Sequence, residues 1–166
     1  MTNYDDYVDA LIEKSEDAFE YIYHETKHSV YALIVSIVKS RVLAEDIMQE
    51  TYIKMISSIK QYQKGRNFKT WLLTIARNLA IDEYRKKQKE TLIDITEQEF
   101  IFPSVHASGE ESLLIRELLQ LMTDEERQVF LLHVVDDIKH KEIAKIMNKP
   151  LGTILWLYQK ALKKVK

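Results

Sequence analysis

The chain contains no cysteine, only three glycines and only two prolines. The missing thiols exclude a disulfide scaffold, a thiolate zinc site, an iron–sulfur cluster and a cysteine nucleophile. Sheets and sandwiches need turn residues every few positions, so the shortage of Gly and Pro favours long helices. Long hydrophobic runs are missing as well. The longest, Val30 to Val38, is broken by Ser36 and falls far short of the ~20 residues a membrane span requires. The first twenty residues carry several acids and no apolar stretch, so they do not form a signal peptide. These absences predict a soluble cytoplasmic protein with no membrane insertion. Apolar residues, at 46%, suffice for a core and exclude a wholly disordered chain.

A net charge of −2 shows no bias toward or against a polyanion. By block the charges separate: −5 over residues 1–60, +6 over 61–89, −10 over 90–137 and +7 over 138–166. Two basic blocks, each closing a helical segment, predict two contacts with a polyanion. Taken singly, either block could equally be a solvated lysine-rich face.

Apolar spacing predicts a helix from Glu16 to Lys39 and another from about Leu43 to Gln61, with the stripe Ile47, Thr51, Met55, Ile59 and Tyr62. Asn67 is a candidate N-cap for a third helix, Phe68 to about Gln88. Residues 90–111 hold six acids, no base, and Pro103, Ser104, Ser108 and Gly109, which reads as an exposed linker with a short extended piece at Phe100-Ile101-Phe102. Helical spacing resumes at Ser112 to Met122. Thr123-Asp-Glu-Glu126 spells a capping box opening a helix through about Val135. Two further helices follow, Lys139 to Met147 and Pro150 to the C-terminus. Asn148 suits the tight turn between them, and Pro150 suits a first helical position.

Two constellations carry chemistry. The closing pair of helices reads as a helix–turn–helix. In its last helix Leu151, Ile154, Leu155, Tyr158, Ala161, Leu162 and Val165 gather on one side, with Gly152, Thr153, Trp156, Gln159, Lys160, Lys163 and Lys166 on the other. One apolar stripe and one basic face fit a major-groove reader, with lysines on phosphates and Thr153 near a base edge. An ordinary helical hairpin has the same outline. The second constellation is Lys64 to Lys89. There Trp71, Thr74, Asn78, Asp82 and Arg85 share a face under a basic, glycine-containing loop, an arrangement able to stack unpaired bases. A tryptophan at such a position also fits a plain core residue.

Ala44-Glu-Asp-Ile-Met-Gln-Glu-Thr-Tyr52, Phe68-Lys-Thr-Trp-Leu-Leu-Thr-Ile-Ala-Arg-Asn78 and Asp82-Glu-Tyr-Arg85 resemble domain two of the extracytoplasmic-function (group four) RNA polymerase sigma factors of the sigma-70 family. Glu142-Ile-Ala144, Gly152-Thr-Ile154 and Lys163-Lys164 resemble their domain four. The resemblance implies an all-α chain of two small helical domains: sigma domain two over 1–89, an acidic linker over 90–111, and a helix–turn–helix sigma domain four over 112–166. It implies a bacterial transcription initiation factor that performs no covalent chemistry and needs no cofactor. Asp46, Gln49 and Glu50 match positions that dock on the β′ clamp helices of core polymerase, with Ile53 an apolar neighbour on the same face; domain four implies contact with the β flap. Lys64, Arg66, Asn67, Lys69, Thr70, Trp71, Asn78 and Arg85 match the region that captures the single-stranded minus-ten element. Thr153, Trp156, Gln159, Lys160 and Lys163 fall on the helix matching the reader of the duplex minus-thirty-five element. An anti-sigma partner is implied, with a monomer when free. Leu155-Trp156-Leu157 departs from the family, which often has a polar, Arg-containing run there.

Two other classes compete. A stand-alone helix–turn–helix regulator is usually a dimer, but no dimerisation helix is left over. His24-Glu-Thr-Lys-His28 spells the zinc-protease pattern, but the charged Lys27 and the missing third ligand favour surface histidines.

Overall fold

The structure, a computed structural model, describes residues 3–90 and 109–165. All regular structure among them is helical. A 3-10 turn, Tyr4–Tyr7, leads into the short α1, Val8–Ile12. Then come α2 (Glu16–Val38), α3 (Arg41–Ser58), a 3-10 turn (Ile59–Gln61) and α4 (Phe68–Glu90). After the linker follow α5 (Gly109–Gln120), α6 (Asp124–Phe130), a π-helical turn (Leu131–Val135), α7 (His140–Met147) and α8 (Leu151–Lys164).

Local chemistry sets the boundaries. The Ser15 hydroxyl accepts the Ala18 N–H to start α2, and the Ser40 hydroxyl accepts the Leu43 N–H to start α3. Between them Lys39 ends α2 in the left-handed conformation (φ 56°). The Thr123–Glu126 capping box forms as expected. Asn148 takes the left-handed turn (φ 53°). Pro150 stands one place earlier than expected: it is the N-cap of α8 (ψ 148°), and Leu151 is the first helical residue. Helix α5 begins at Gly109, three residues before the expected start. The Phe100–Phe102 expectation and most of the linker lie outside the described residues.

Helices α2, α3 and α4 pack together through Ile22, Leu33, Ile34, Ile47, Met55, Leu72 and Ala76, all at most 1% exposed. Every residue of the expected α3 stripe is buried, from Ile47 to Tyr62. The C-terminal helices do not form a wholly separate core. Val129, Leu132, Ile138, Ile143, Ile146, Ile154 and Leu157 continue the same buried cluster. A smaller cluster, Leu119, Met122, Leu131 and Ala161, holds the end of α5, the π-helical turn and α8 to one another. The junction runs chiefly between α4 and α7. Leu73 and Ala80 on α4, both at 0% exposure, are core residues that the sequence pattern did not reveal.

Candidate functional site

Three surfaces hold the residues singled out from the sequence. The first is α3. Its buried stripe (Ala44, Ile47, Thr51, Met55) turns Asp46, Gln49, Glu50 and Ile53 outward, and all four are exposed, Ile53 at 68%. Two of them, Gln49 and Ile53, line a groove of about 540 Å³ between α2 and α3, together with Phe19, Tyr23, Met48, Tyr52, Ile56 and Ser57. Its floor is aromatic: Tyr52 packs edge-on to Tyr23 (5.0 Å) and Phe19 (6.0 Å). The Thr26 hydroxyl donates to the Ile22 carbonyl, so the Tyr52 hydroxyl is the donor in its 2.6 Å bond to Thr26. Burial raises the Tyr52 pKa well above its ordinary value, so the phenol stays neutral and the groove apolar. The polar face of α3 was legible from the sequence. The groove was not, because Phe19 and Tyr23 fit a core stripe; aromatics at 19, 23 and 52, on helices that turn out to be neighbours, were the available signal.

The second surface is the loop before α4 and that helix's first turns. The Asn67 side chain accepts the Thr70 N–H (3.1 Å), making it the expected N-cap. Lys64, Arg66 and Asn67 are exposed, and Lys69 and Trp71 half-buried. The half-buried Trp71 ring rests against Tyr62 (5.2 Å) and Phe68 (5.6 Å) and so joins an aromatic cluster. Thr70 is different. It is 7% exposed, and its hydroxyl has no partner among the described residues. The helical turn that exposes Trp71 points Thr70 toward the same side as Leu73 and Arg77. Asn78 and Arg85 are exposed further along α4. At 1.5 Å per residue Arg85 stands about 21 Å along the axis from Trp71, so the two do not share one pocket.

The third surface is α8. Ile154, Leu157 and Ala161 face inward. Gly152, Leu155, Trp156, Gln159 and Lys163 are exposed, and Thr153 and Lys160 half-buried. The buried arc is centred nearer Leu157 than the sequence wheel placed it, which brings Leu151 (45%) and Leu155 (43%) into solvent. Trp156, 58% exposed, has the Lys160 ammonium 4.3 Å from its ring centroid. Lys160 also lies 3.6 Å from Glu126, and the Lys164 ammonium donates to the same carboxylate at 2.5 Å. Glu126 had been legible only as a cap.

The two His of the protease-like pattern, His24 and His28, are exposed on α2. No group of three or more candidate metal ligands occurs among the described residues.

Residues 22–90 match the family model for sigma-70 region 2, and residues 112–165 match that for sigma-70 region 4. The chain is 32% identical over 153 residues to the ECF RNA polymerase sigma factor SigW of Bacillus subtilis, spanning 84% of this chain and 82% of that protein. The chain belongs to the extracytoplasmic-function sigma factors. It is 31% identical over 131 residues to SigM of the same organism, across 76% of this chain and 80% of that one. The fold resembles the sigma factor RpoE solved in complex with the anti-sigma factor NepR from Bartonella quintana, with a TM-score of 0.74, 22% identity and coverage of 89% and 93%. It also resembles CnrH in complex with the cytosolic domain of CnrY, with a TM-score of 0.72, 15% identity and coverage of 99% and 95%. This sigma factor is therefore a promoter-specific transcription initiation factor.

In this sigma factor, region 4 rests on region 2. The Ser29 hydroxyl on α2 donates to Asp136 after the π turn (2.7 Å), and the Arg77 Nε on α4 donates to the Gln128 amide oxygen on α6 (2.8 Å). Lys39 pairs with Asp124 at 3.0 Å. Burial holds the Asp136 pKa above the ordinary carboxylate value, an effect that the Ser29 bond and the nearby Lys69 charge only partly offset. Lys69, matched to the minus-ten region, thus sits close enough to region 4 to feel its charge.

Proposed function

We propose that three surfaces divide the work of initiation. The exposed α3 face and its groove dock on the β′ clamp helices of core polymerase. The loop Lys64–Asn67 with Lys69 and Trp71 holds the single-stranded minus-ten element, Asn78 and Arg85 following its backbone. The α8 face reads the duplex minus-thirty-five element, with region 4 resting on the β flap. The division is domain two over 1–89, linker over 90–111 and domain four over 112–166, with the work done in the cytoplasm by a chain monomeric when free. No helix among the described residues is long and apolar enough to cross a membrane. An anti-sigma protein, as in the two solved complexes, is the proposed inhibitor. It would compete for these same faces.

The observation that carries the reading is the α3 surface. Gln49 and Ile53 line an apolar groove, with Asp46 and Glu50 exposed on the same helix, and that combination suits a basic helical partner in which charges steer and apolar groups anchor. The test is promoter-specific transcription by core polymerase supplemented with the purified chain. Ile53→Asp places a charge at the groove's edge on an already exposed position, so folding is spared. It is expected to weaken core binding at least about tenfold. Binding within twofold of the wild type would remove α3 from the interface.

A second measurement addresses α8. Lys163→Ala is expected to weaken duplex binding across sequences and lower the slope of log affinity against log salt by about 1. An unchanged slope would place the phosphate contacts elsewhere.

A further inference from the structure

The N-terminal 3-10 turn and α1 precede residue 22, where the region 2 match begins, yet their acids reach into the loop proposed to hold the minus-ten strand. Gly65 takes a φ of +90°, where glycine is favoured, and its N–H donates to Asp5 Oδ2 at 2.7 Å. The other carboxylate oxygen accepts the Tyr62 hydroxyl at 2.5 Å. The same hydroxyl lies in hydrogen-bond contact with the Arg66 carbonyl, so its one proton is shared across the loop. The Tyr62 ring stands edge-on to Phe68 (5.3 Å) and against Trp71 (5.2 Å). One carboxylate therefore fixes both the backbone of the loop and the aromatic group beside Trp71. Asp5 is itself held, because its N–H donates to the Asn3 side chain (3.0 Å) and the neighbouring Tyr4 ring packs on Phe68 (5.7 Å).

One turn later, Asp9 has the opposite relation to the loop. It pairs with Lys64 at 2.7 Å, with both side chains more than half exposed. A phosphate would have to draw Lys64 away from it.

We infer that Asp5 is a positioning residue for minus-ten strand recognition, shaping the Tyr62–Asn67 loop through Gly65 and Tyr62, while Asp9 competes with the strand for Lys64. This rests on the proposed role of the loop. A loop already ordered in its bound shape loses less conformational entropy when a base docks, so removing the Asp5 contacts raises the cost of binding without removing any contact to DNA. Asp9 acts only by charge and is screened by salt.

The test uses holoenzyme made from the full chain and a single-stranded oligonucleotide carrying the non-template minus-ten sequence of a promoter it transcribes, with 2-aminopurine at the unpaired position. Asp5→Asn and Tyr62→Phe are each expected to weaken strand binding about five- to twentyfold and to abolish the fluorescence change of the captured base. Affinity for core polymerase and for minus-thirty-five duplex should stay within twofold. Asp9→Asn is expected to strengthen strand binding two- to threefold at low salt, with the gain lost at high salt. Tyr62→Phe keeps the ring and its packing, so it reads the hydroxyl network even if Asp5→Asn folds poorly. Wild-type strand affinity and fluorescence in both variants would overturn the proposal. So would a parallel loss of strand, core and duplex binding, which would make Asp5 a plain folding residue. If Lys64→Ala with Arg66→Ala leaves strand binding unchanged, the loop's own role fails, and the failure is then not specific to Asp5.

Discussion

Glu126→Ala is expected to destabilise the C-terminal helices by about 3–5 kcal/mol, the range for removing one partner of a buried charge cluster. This glutamate is 0% exposed and serves two elements at once, α6 and α8. Its Oε1 accepts the Thr123 N–H (3.1 Å) while its own N–H donates to the Thr123 hydroxyl (3.2 Å), closing the box that starts α6. On the other side it receives Lys164 at 2.5 Å and faces Lys160 at 3.6 Å, which ties α8 to α6. The next residue extends the link backward. The Arg127 guanidinium donates to the Leu119 and Met122 carbonyls, each at 3.0 Å, capping the end of α5. Alanine at 126 would leave two α8 lysines facing each other with no anion between them and an orphaned Thr123 N–H. Glu126→Gln keeps the acceptor and loses only the charge, so its loss should be about half as large. The pH dependence has a definite sign. Burial pushes the Glu126 pKa up, but Lys164, the Thr123 N–H and Lys160 outweigh it and hold the group below its ordinary value. A depressed carboxylate stabilises above its unfolded pKa, and that stabilisation drains as pH falls through the folded one. Denaturation followed between pH 7 and pH 3 should therefore show wild type and variant converging at the acid end. Equal midpoints at neutral pH would show that the cluster contributes nothing.

Much of this was legible because it is local. Asn67, Asn148 and the Thr123–Glu126 box each act on backbone within four residues, so spacing alone reveals them. The α3 stripe was legible because one face of that helix is buried and the other is not. Contacts that join distant segments left no such trace. Ser29 and Asp136 are 107 positions apart, and Gly65 and Asp5 are 60 apart. Helix α4 defeated a single-stripe reading because it is covered from two sides. It packs against α7 as well as α2 and α3, and Leu73 and Ala80 are buried along with Leu72 and Ala76. Thr70, beside the half-buried Lys69 and Trp71 in sequence, is itself buried in space.

That packing leads to the second large expected effect. The minus-ten and minus-thirty-five elements are, by name, about 25 base pairs apart, or about 85 Å along a duplex at 3.4 Å per pair. A compact chain of 166 residues has a radius of gyration near 15 Å, hence a diameter of about 40 Å. With region 4 seated on region 2, no single molecule reaches both elements, so initiation requires the α4–α7 junction to open. Because the chain has no native cysteine, Lys60→Cys and Lys141→Cys, both exposed, can carry a donor and an acceptor dye as the only thiols present. Energy transfer should be high in the free protein and fall to near background in the holoenzyme on promoter DNA. Asp136→Asn should shift the balance in the other direction. The Asp136 pKa is raised while the junction is closed, so protonation favours closure, and the closed fraction grows as pH falls toward that raised value. A neutral amide that can still accept the Ser29 hydroxyl imitates the protonated state at every pH. The variant should keep high transfer to a greater core polymerase concentration than the wild type and lose the pH dependence. Unchanged transfer on forming the promoter complex would mean that region 4 reads its element without leaving α4, and the distance argument would then fail.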